Sequence, residues 1–216
     1  MPSIQFILLF RAGVTSQTVP DLYSLVMRNM AKIKPQDSWR LLEEKAQEVT
    51  NPRHKAMLTK IRDHMDFEIN GQLEELLGTL TPHPYYHFWG NNVMNINGMA
   101  GVRAFYTDLI ASGANQFEVA LEKIVVDDEN VVTEGRVKQA FTAKEILAMG
   151  ITEINGEALD KVALYVTSTQ LITVWPVDEN GQIIGEDVYL SSDPFADCEK
   201  ITPADLPEGF RYLDRM

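Results

Sequence analysis

Residues 62–90 read RDHMDFEINGQLEELLGTLTPHPYYHFWG, and the way this stretch divides decides most of the fold. Its first part continues a helix that opens at Asn51-Pro52, since proline suits a first helical turn. The spacing predicts a helix over about 52–69. On a wheel of about 100° per residue, Met57, Ile61, Met65, Gln72 and Leu76 share one side. His64 and Glu68 fall inside that apolar stripe, four residues apart and stacked. Asp63 and Asp66 point away from it, toward solvent. Gly71 then breaks the helix, and a shorter one is expected through Leu80. After Pro82 the pattern changes to the aromatic, strand-like PYYHFWG. Here Tyr85, His87 and Trp89 alternate with Tyr86 and Phe88, so that one set faces inward.

Downstream, Gly98 to Ser112 reads as a helix, with Val102, Phe105, Tyr106, Leu109 and Ile110 at helical spacing. Two strands follow, FEVALEKIVV and VVTEGRVKQAF, joined by the turn Asp127-Asp128-Glu129-Asn130. Residues 142–160 read as an irregular connection with one helical turn at AKEILAM. KVALYVTSTQLITVWPV is a long strand, and Asn180-Gly181 turns it tightly into QIIGEDVYL. Upstream, Asp21 opens a helical stretch ending at Lys34-Pro35, and WRLLEEKAQEV follows the cap-type Asp37-Ser38. Helices, a strand, a helix and then long antiparallel strands make an α+β layout, with helices on one side of a mainly antiparallel sheet. The divisions expected are an N-terminal extension over 1–50, a main domain over 51–195 and a tail over 196–216.

The chain has 216 residues and a net charge of −12, with 45% hydrophobic and 23% charged residues. That is ordinary globular composition for one domain of generous size. The acidic balance disfavours nucleic acid and anionic membranes as partners. The apolar start Pro2 to Phe10 lacks the basic residues before it and the small-residue pattern after it that mark a signal peptide. It is also too short to span a bilayer, and reads better as a strand or arm. The single cysteine, Cys198, is expected in a surface tail and cannot form an intramolecular disulfide. A reducing, cytoplasmic setting is therefore expected.

Three stretches resemble the SnoaL-like, or nuclear transport factor 2-like, family. The first is the helix-and-strand run over 62–90, with its His, an acid four residues later, a Leu-rich helix end and a Pro-Tyr strand. The second is Gly98 to Tyr106, a Gly followed by Val102-Arg103-Ala104-Phe105-Tyr106. The third is Glu186-Asp187-Val188-Tyr189 after its hairpin. Together they span about residues 54–195. The resemblance implies a cone-shaped curved sheet with helices enclosing one pocket, and frequent dimerisation. It also implies activities from ketosteroid isomerisation, dehydration and epoxide hydrolysis to polyketide cyclisation, alongside non-catalytic transport factors. The chain departs from the family's familiar acids. Ser191 stands near the place of one catalytic aspartate, and Gln72 replaces the aspartate late in the first helix. Arg136-Val137-Lys138 is the best match to an Arg-x-Asp pair.

Burying an unpaired carboxylate costs several kcal/mol, so an inward acid needs a partner or a purpose. His64 and Glu68 are read in two ways. They satisfy each other at the core edge, or they form an acid/base pair in a pocket wall, with desolvation raising the Glu68 pKa. Tyr85, Tyr86, His87 and Trp89 suit a flat apolar ligand, with Tyr86 or His87 as oxyanion donor. Gln72, Phe105, Arg136 and Glu186 complete the candidate lining. The catalytic candidates are thus His64, Glu68 and His87. His64, Glu68 and His87 are also metal-ligand types, but their spacing fits no standard motif. No phosphate-cradling Gly loop or Gly-x-Ser-x-Gly elbow is present. Neither a metal nor a cofactor is therefore expected. The leading expectation is a cofactor-independent enzyme, of isomerase or lyase type. It would do proton-transfer chemistry (isomerisation, dehydration or cyclisation) on a hydrophobic, oxygenated small molecule, in a homodimer. The rival is a non-catalytic binding or dimeric interaction protein of the same fold.

Overall fold

The structure is a computed structural model that describes residues 31–89, 93–191 and 193–212. The apolar stretch Pro2 to Phe10 and the body of the helix expected from Asp21 lie outside them. Residues 31–33, at the end of that expected helix, are not helical. Five α-helices are described: α1 Arg40–Glu48, α2 Pro52–Asn70, α3 Leu73–Leu77, α4 Gly98–Ser112 and α5 Ala143–Ala148. The start of α2 follows from its sequence: the Asn51 side chain accepts from the Arg53 amide at 2.9 Å, with Pro52 in the first turn. Gly71 ends α2 in the left-handed conformation, φ 70°, which glycine adopts without a Cβ penalty. The short α5 carries a reciprocal capping box between Thr142 and Glu145. The shorter helix expected through Leu80 stops at Leu77, because Leu80 already pairs into the sheet.

The strands are β1 Leu80–Trp89, β2 Met94–Asn97, β3 Glu118–Val126, β4 Asn130–Thr142, β5 Glu153–Ile154, β6 Glu157–Ala158, β7 Leu164–Pro176, β8 Ile183–Leu190 and β9 Cys198–Ile201. Seven of them form one open sheet, six in the order β2-β1-β8-β7-β4-β3 with β9 paired to β7 off that path, and β5 and β6 form a separate hairpin. Every pairing in the sheet is antiparallel except β1 with β8, which is parallel. β8 pairs with Leu171 to Val174 of β7, and β9 takes the stretch from Leu164 to Thr167 on the same edge. The fold is thus α+β with a mainly antiparallel sheet. The connection over 142–160 is more regular than its sequence suggests, holding α5 and the β5-β6 hairpin.

The main core lies between the sheet and helices α1 to α4. Leu42, Met57, Leu58, Ile61, Leu76 and Val102 are fully buried there. Each such side chain contributes roughly 1.5–3 kcal/mol of transfer free energy. Residues 31–39 are tied to the same body: Ser38 Oγ accepts from the Val119 amide at 3.0 Å, and Ile33 packs with Val166, Ile201 and Phe210. Cys198, expected in a surface tail, is buried in β9 beside Tyr165 and Ile146, because the tail adds a strand to the sheet. Among the described residues, no helix is long and apolar enough to cross a membrane.

Candidate functional site

Between α2, α4 and the inner sheet face lies a cavity of about 240 Å³. α2 gives it Met65 and Glu68, and α4 gives Phe105, Tyr106 and Leu109. β1 contributes Tyr86 and Phe88, and β8 contributes Glu186, Val188 and Leu190. The far wall is Val137 and Gln139 of β4 with Leu171, Thr173 and Trp175 of β7. The alternation of each strand produces this lining, since every second side chain faces the helices.

Polar groups gather at one end of this apolar space. His64 is fully buried on α2, immediately behind the wall. Its Nε2 lies 3.0 Å from the Tyr106 hydroxyl, 3.3 Å from the Tyr86 hydroxyl and 3.2 Å from Oε1 of Glu186. Its Nδ1 lies 2.7 Å from Oγ1 of Thr79. The Tyr106 hydroxyl is 3.0 Å from that of Tyr86 and 3.3 Å from Oε1 of Glu186. Trp175 meets the imidazole edge-on and donates its indole N–H to Thr133. Burial, and then the Glu186 charge, pushes the hydroxyls of Tyr86 and Tyr106 well above the ordinary range, so both stay protonated donors.

Glu68 stands apart from this network. No hydrogen bond to its carboxylate is found among the described residues, although part of the residue faces the cavity. Burial first, and the neighbouring Glu186 second, pushes its carboxyl well above the usual carboxylate range. Two carboxyls therefore share one apolar cavity, and their environments differ. Glu186 is anchored by His64 and Tyr106, whereas Glu68 is desolvated and favours its protonated form.

His64, Glu68, Tyr86, Phe105 and Glu186 thus converge, but the expected pairing of His64 with Glu68 is corrected. The imidazole turns to Glu186 across the sheet, because Nε2 points at β1 and β8 rather than along α2. Five other candidates lie elsewhere. Gln72 is exposed, since the helical wheel cannot be continued past the left-handed Gly71. Tyr85, His87 and Trp89 occupy the opposite face of β1, where all three donate to Asp187 at 3.2 Å. Arg136 is on the outer face of β4, bound to the Ser168 hydroxyl and carbonyl. Among the described residues, no group of three or more His, Cys, Asp or Glu is placed to hold a metal ion. Tyr106 and Thr79 were not singled out from the sequence as site residues. Tyr106 carried a signal, lying on the apolar stripe of its helix four residues after Val102. Thr79 carried none.

No protein-family model and no curated protein sequence matches the chain. Solved structures do. The chain is similar to SnoaL-like and NTF2-like proteins. A SnoaL-like, polyketide-cyclase-type protein from Jannaschia sp. CCS1 is 18% identical with a TM-score of 0.49, over 67% of this chain and 91% of that one. An NTF2-like protein from Anabaena variabilis ATCC 29413 is 15% identical with a TM-score of 0.47, over 69% and 99%. An LEH-like epoxide hydrolase of M. tuberculosis is 16% identical with a TM-score of 0.47, over 67% and 89%. These are the kinds of protein that the three sequence stretches resemble.

Proposed function

We propose that the cavity is a cofactor-independent acid/base site for a small hydrophobic molecule bearing an oxygen function. The observation that carries this reading is the unequal pair of carboxyls, Glu68 and Glu186, facing one apolar cavity. Glu186, held by His64 and Tyr106, is the group that accepts a proton from the ligand. Glu68, desolvated and favouring its acid form, is the group that returns one. The Tyr86 hydroxyl supports an oxygen as negative charge develops on it. Such a set fits isomerisation, dehydration or cyclisation, in which protons move and no electrons need a carrier. The aromatic and aliphatic lining selects a ligand that is mostly apolar, and a volume of about 240 Å³ keeps it small.

Mass spectrometry of the natively purified protein is the test, with wild type beside Glu186→Gln and Glu68→Gln. A co-purifying compound that wild type converts and either variant holds unchanged is the expected result. The same unaltered compound in all three proteins would replace the enzyme reading with that of a ligand carrier. Homodimerisation is a companion proposal, with the exposed Trp89, Ile172 and Tyr189 of the outer sheet face as its contact. Sedimentation of an Ile172→Asp variant at half the wild-type mass would support it, and a monomeric wild type would remove it.

A further inference from the structure

Thr79 follows α3 in a tight turn and is buried at 3% exposure. Its Oγ1 sits 2.6 Å from the carbonyl oxygen of Leu76 and 2.7 Å from Nδ1 of His64. The hydroxyl has a single hydrogen. A carbonyl has none to offer, and two oxygens do not approach to 2.6 Å without a hydrogen between them. The hydroxyl hydrogen therefore goes to Leu76, and the contact with the imidazole is possible only if Nδ1 carries the donor.

We propose that Thr79 is the positioning residue of this site, fixing the proton of His64 on Nδ1 and so reserving Nε2 for proton exchange with Glu186. With Nδ1 fixed, Nε2 and Oε1 of Glu186 face each other at 3.2 Å. Two lone pairs at that distance repel unless a proton lies between them. The phenolic hydrogens of Tyr86 and Tyr106 are the other two in the cluster, and their hydroxyls face the same two atoms. A proton shared between Nε2 and Oε1 removes that repulsion, and with it the buried pair is neutral overall wherever that proton sits. Neutrality is what allows a second carboxyl, Glu68, to share the cavity. The proton acceptor is then the His64–Glu186 couple rather than a lone carboxylate. This consequence rests on the acid/base reading of the cavity, whereas the Nδ1 assignment does not.

The test is imidazole 15N NMR on the full-length protein labelled at histidine, with the His64 signals assigned by their loss in His64→Phe. In wild type and in Thr79→Ser, Nδ1 of His64 should carry a slowly exchanging proton. In Thr79→Val that proton should be lost from Nδ1, leaving the imidazole protonated only on Nε2 by the proton it shared with Glu186, with the Nδ1 signal shifting to the unprotonated range. An unprotonated Nδ1 in wild type, or a Thr79→Val spectrum unchanged at Nδ1, would overturn the assignment. The wild-type spectrum decides even where Thr79→Val fails to fold. Because the readout needs no turnover, it stands apart from the conversion assay on Glu186→Gln and Glu68→Gln.

Discussion

Nε2 of His64 on α2 lies 3.2 Å from Oε1 of Glu186 on β8, joining the longest helix of the described residues to the middle of the sheet. The contact is buried: the imidazole is fully enclosed and Glu186 is 8% exposed. In such a setting each partner depends on the other for its hydrogen bonding, and the fold and the site share the same atoms.

Removing the imidazole should therefore be costly. His64→Ala leaves Glu186 facing a gap and the Tyr106 hydroxyl without one of its two neighbours at 3.0 Å. Breaking a buried pair from one side typically costs about 3–5 kcal/mol. Urea unfolding followed by circular dichroism should show a loss of this order in the two-state free energy. A loss under about 1 kcal/mol, the range of exposed pairs, would mean that the cluster is open to solvent.

Glu68 should govern part of the stability–pH curve. Its carboxyl is raised in the folded chain, by burial first and Glu186 second. Above the unfolded value, about 4.3, the unfolded chain gives up this proton while the folded chain keeps it. The folded chain then binds more protons, so stability falls with rising pH until the folded pKa is passed. The contribution is full below the unfolded pKa and lost above the folded one. Glu68→Gln has no proton to lose. Its Tm advantage over wild type should be small near about pH 4 and should widen toward about pH 8. A gap that stays constant across that range would show that Glu68 is not desolvated.

Gly185 is held by a close approach of two strands. A Cβ there would run into the carbonyl oxygen and the ring of Tyr85, its partner in the parallel β1-β8 pairing. Backbone atoms cannot yield as a flexible side chain would. Gly185→Ala should cost about 1–3 kcal/mol, the range of overpacked interiors. Because Glu186 is the next residue, the same change should weaken ligand retention in the purified protein. Wild-type stability in this variant would mean that the two strands are free to separate.

The sequence made some of this legible and hid the rest for physical reasons. The helix Gly98–Ser112 and the strands around Asn180-Gly181 were readable because their signals are local: periodicity in one case, turn chemistry in the other. The inward set on β1 was not. Alternation says that Tyr86 and His87 face opposite ways, and only packing against α4 says which is inside. Gln72 was misplaced by carrying a helical wheel through a residue at φ 70°. The His64 cluster was half visible. The two polar residues on an apolar stripe announced a site, but the hydroxyl partners of His64 come from 15, 22 and 42 residues away along the chain, and Glu186 from farther still. A threonine in a turn looks like any other until the imidazole arrives beside it.

The cavity itself can be closed without touching its acids. Val137 projects from β4 into the wall opposite α4, at a distance along the strand from the His64 cluster. Val137→Phe would place a ring in a space of about 240 Å³ and so compete directly with a ligand. Since that ring enters room the fold already encloses, the strain of overpacking, about 1–3 kcal/mol, should be largely avoided. The variant should unfold at nearly the wild-type urea concentration while losing the co-purifying compound, or the fluorescence of an added apolar dye. The native mass spectrum and a dye titration read both effects on one sample. Undiminished binding by a folded Val137→Phe protein would place the ligand outside this cavity and leave Glu68 and Glu186 without a substrate to act upon.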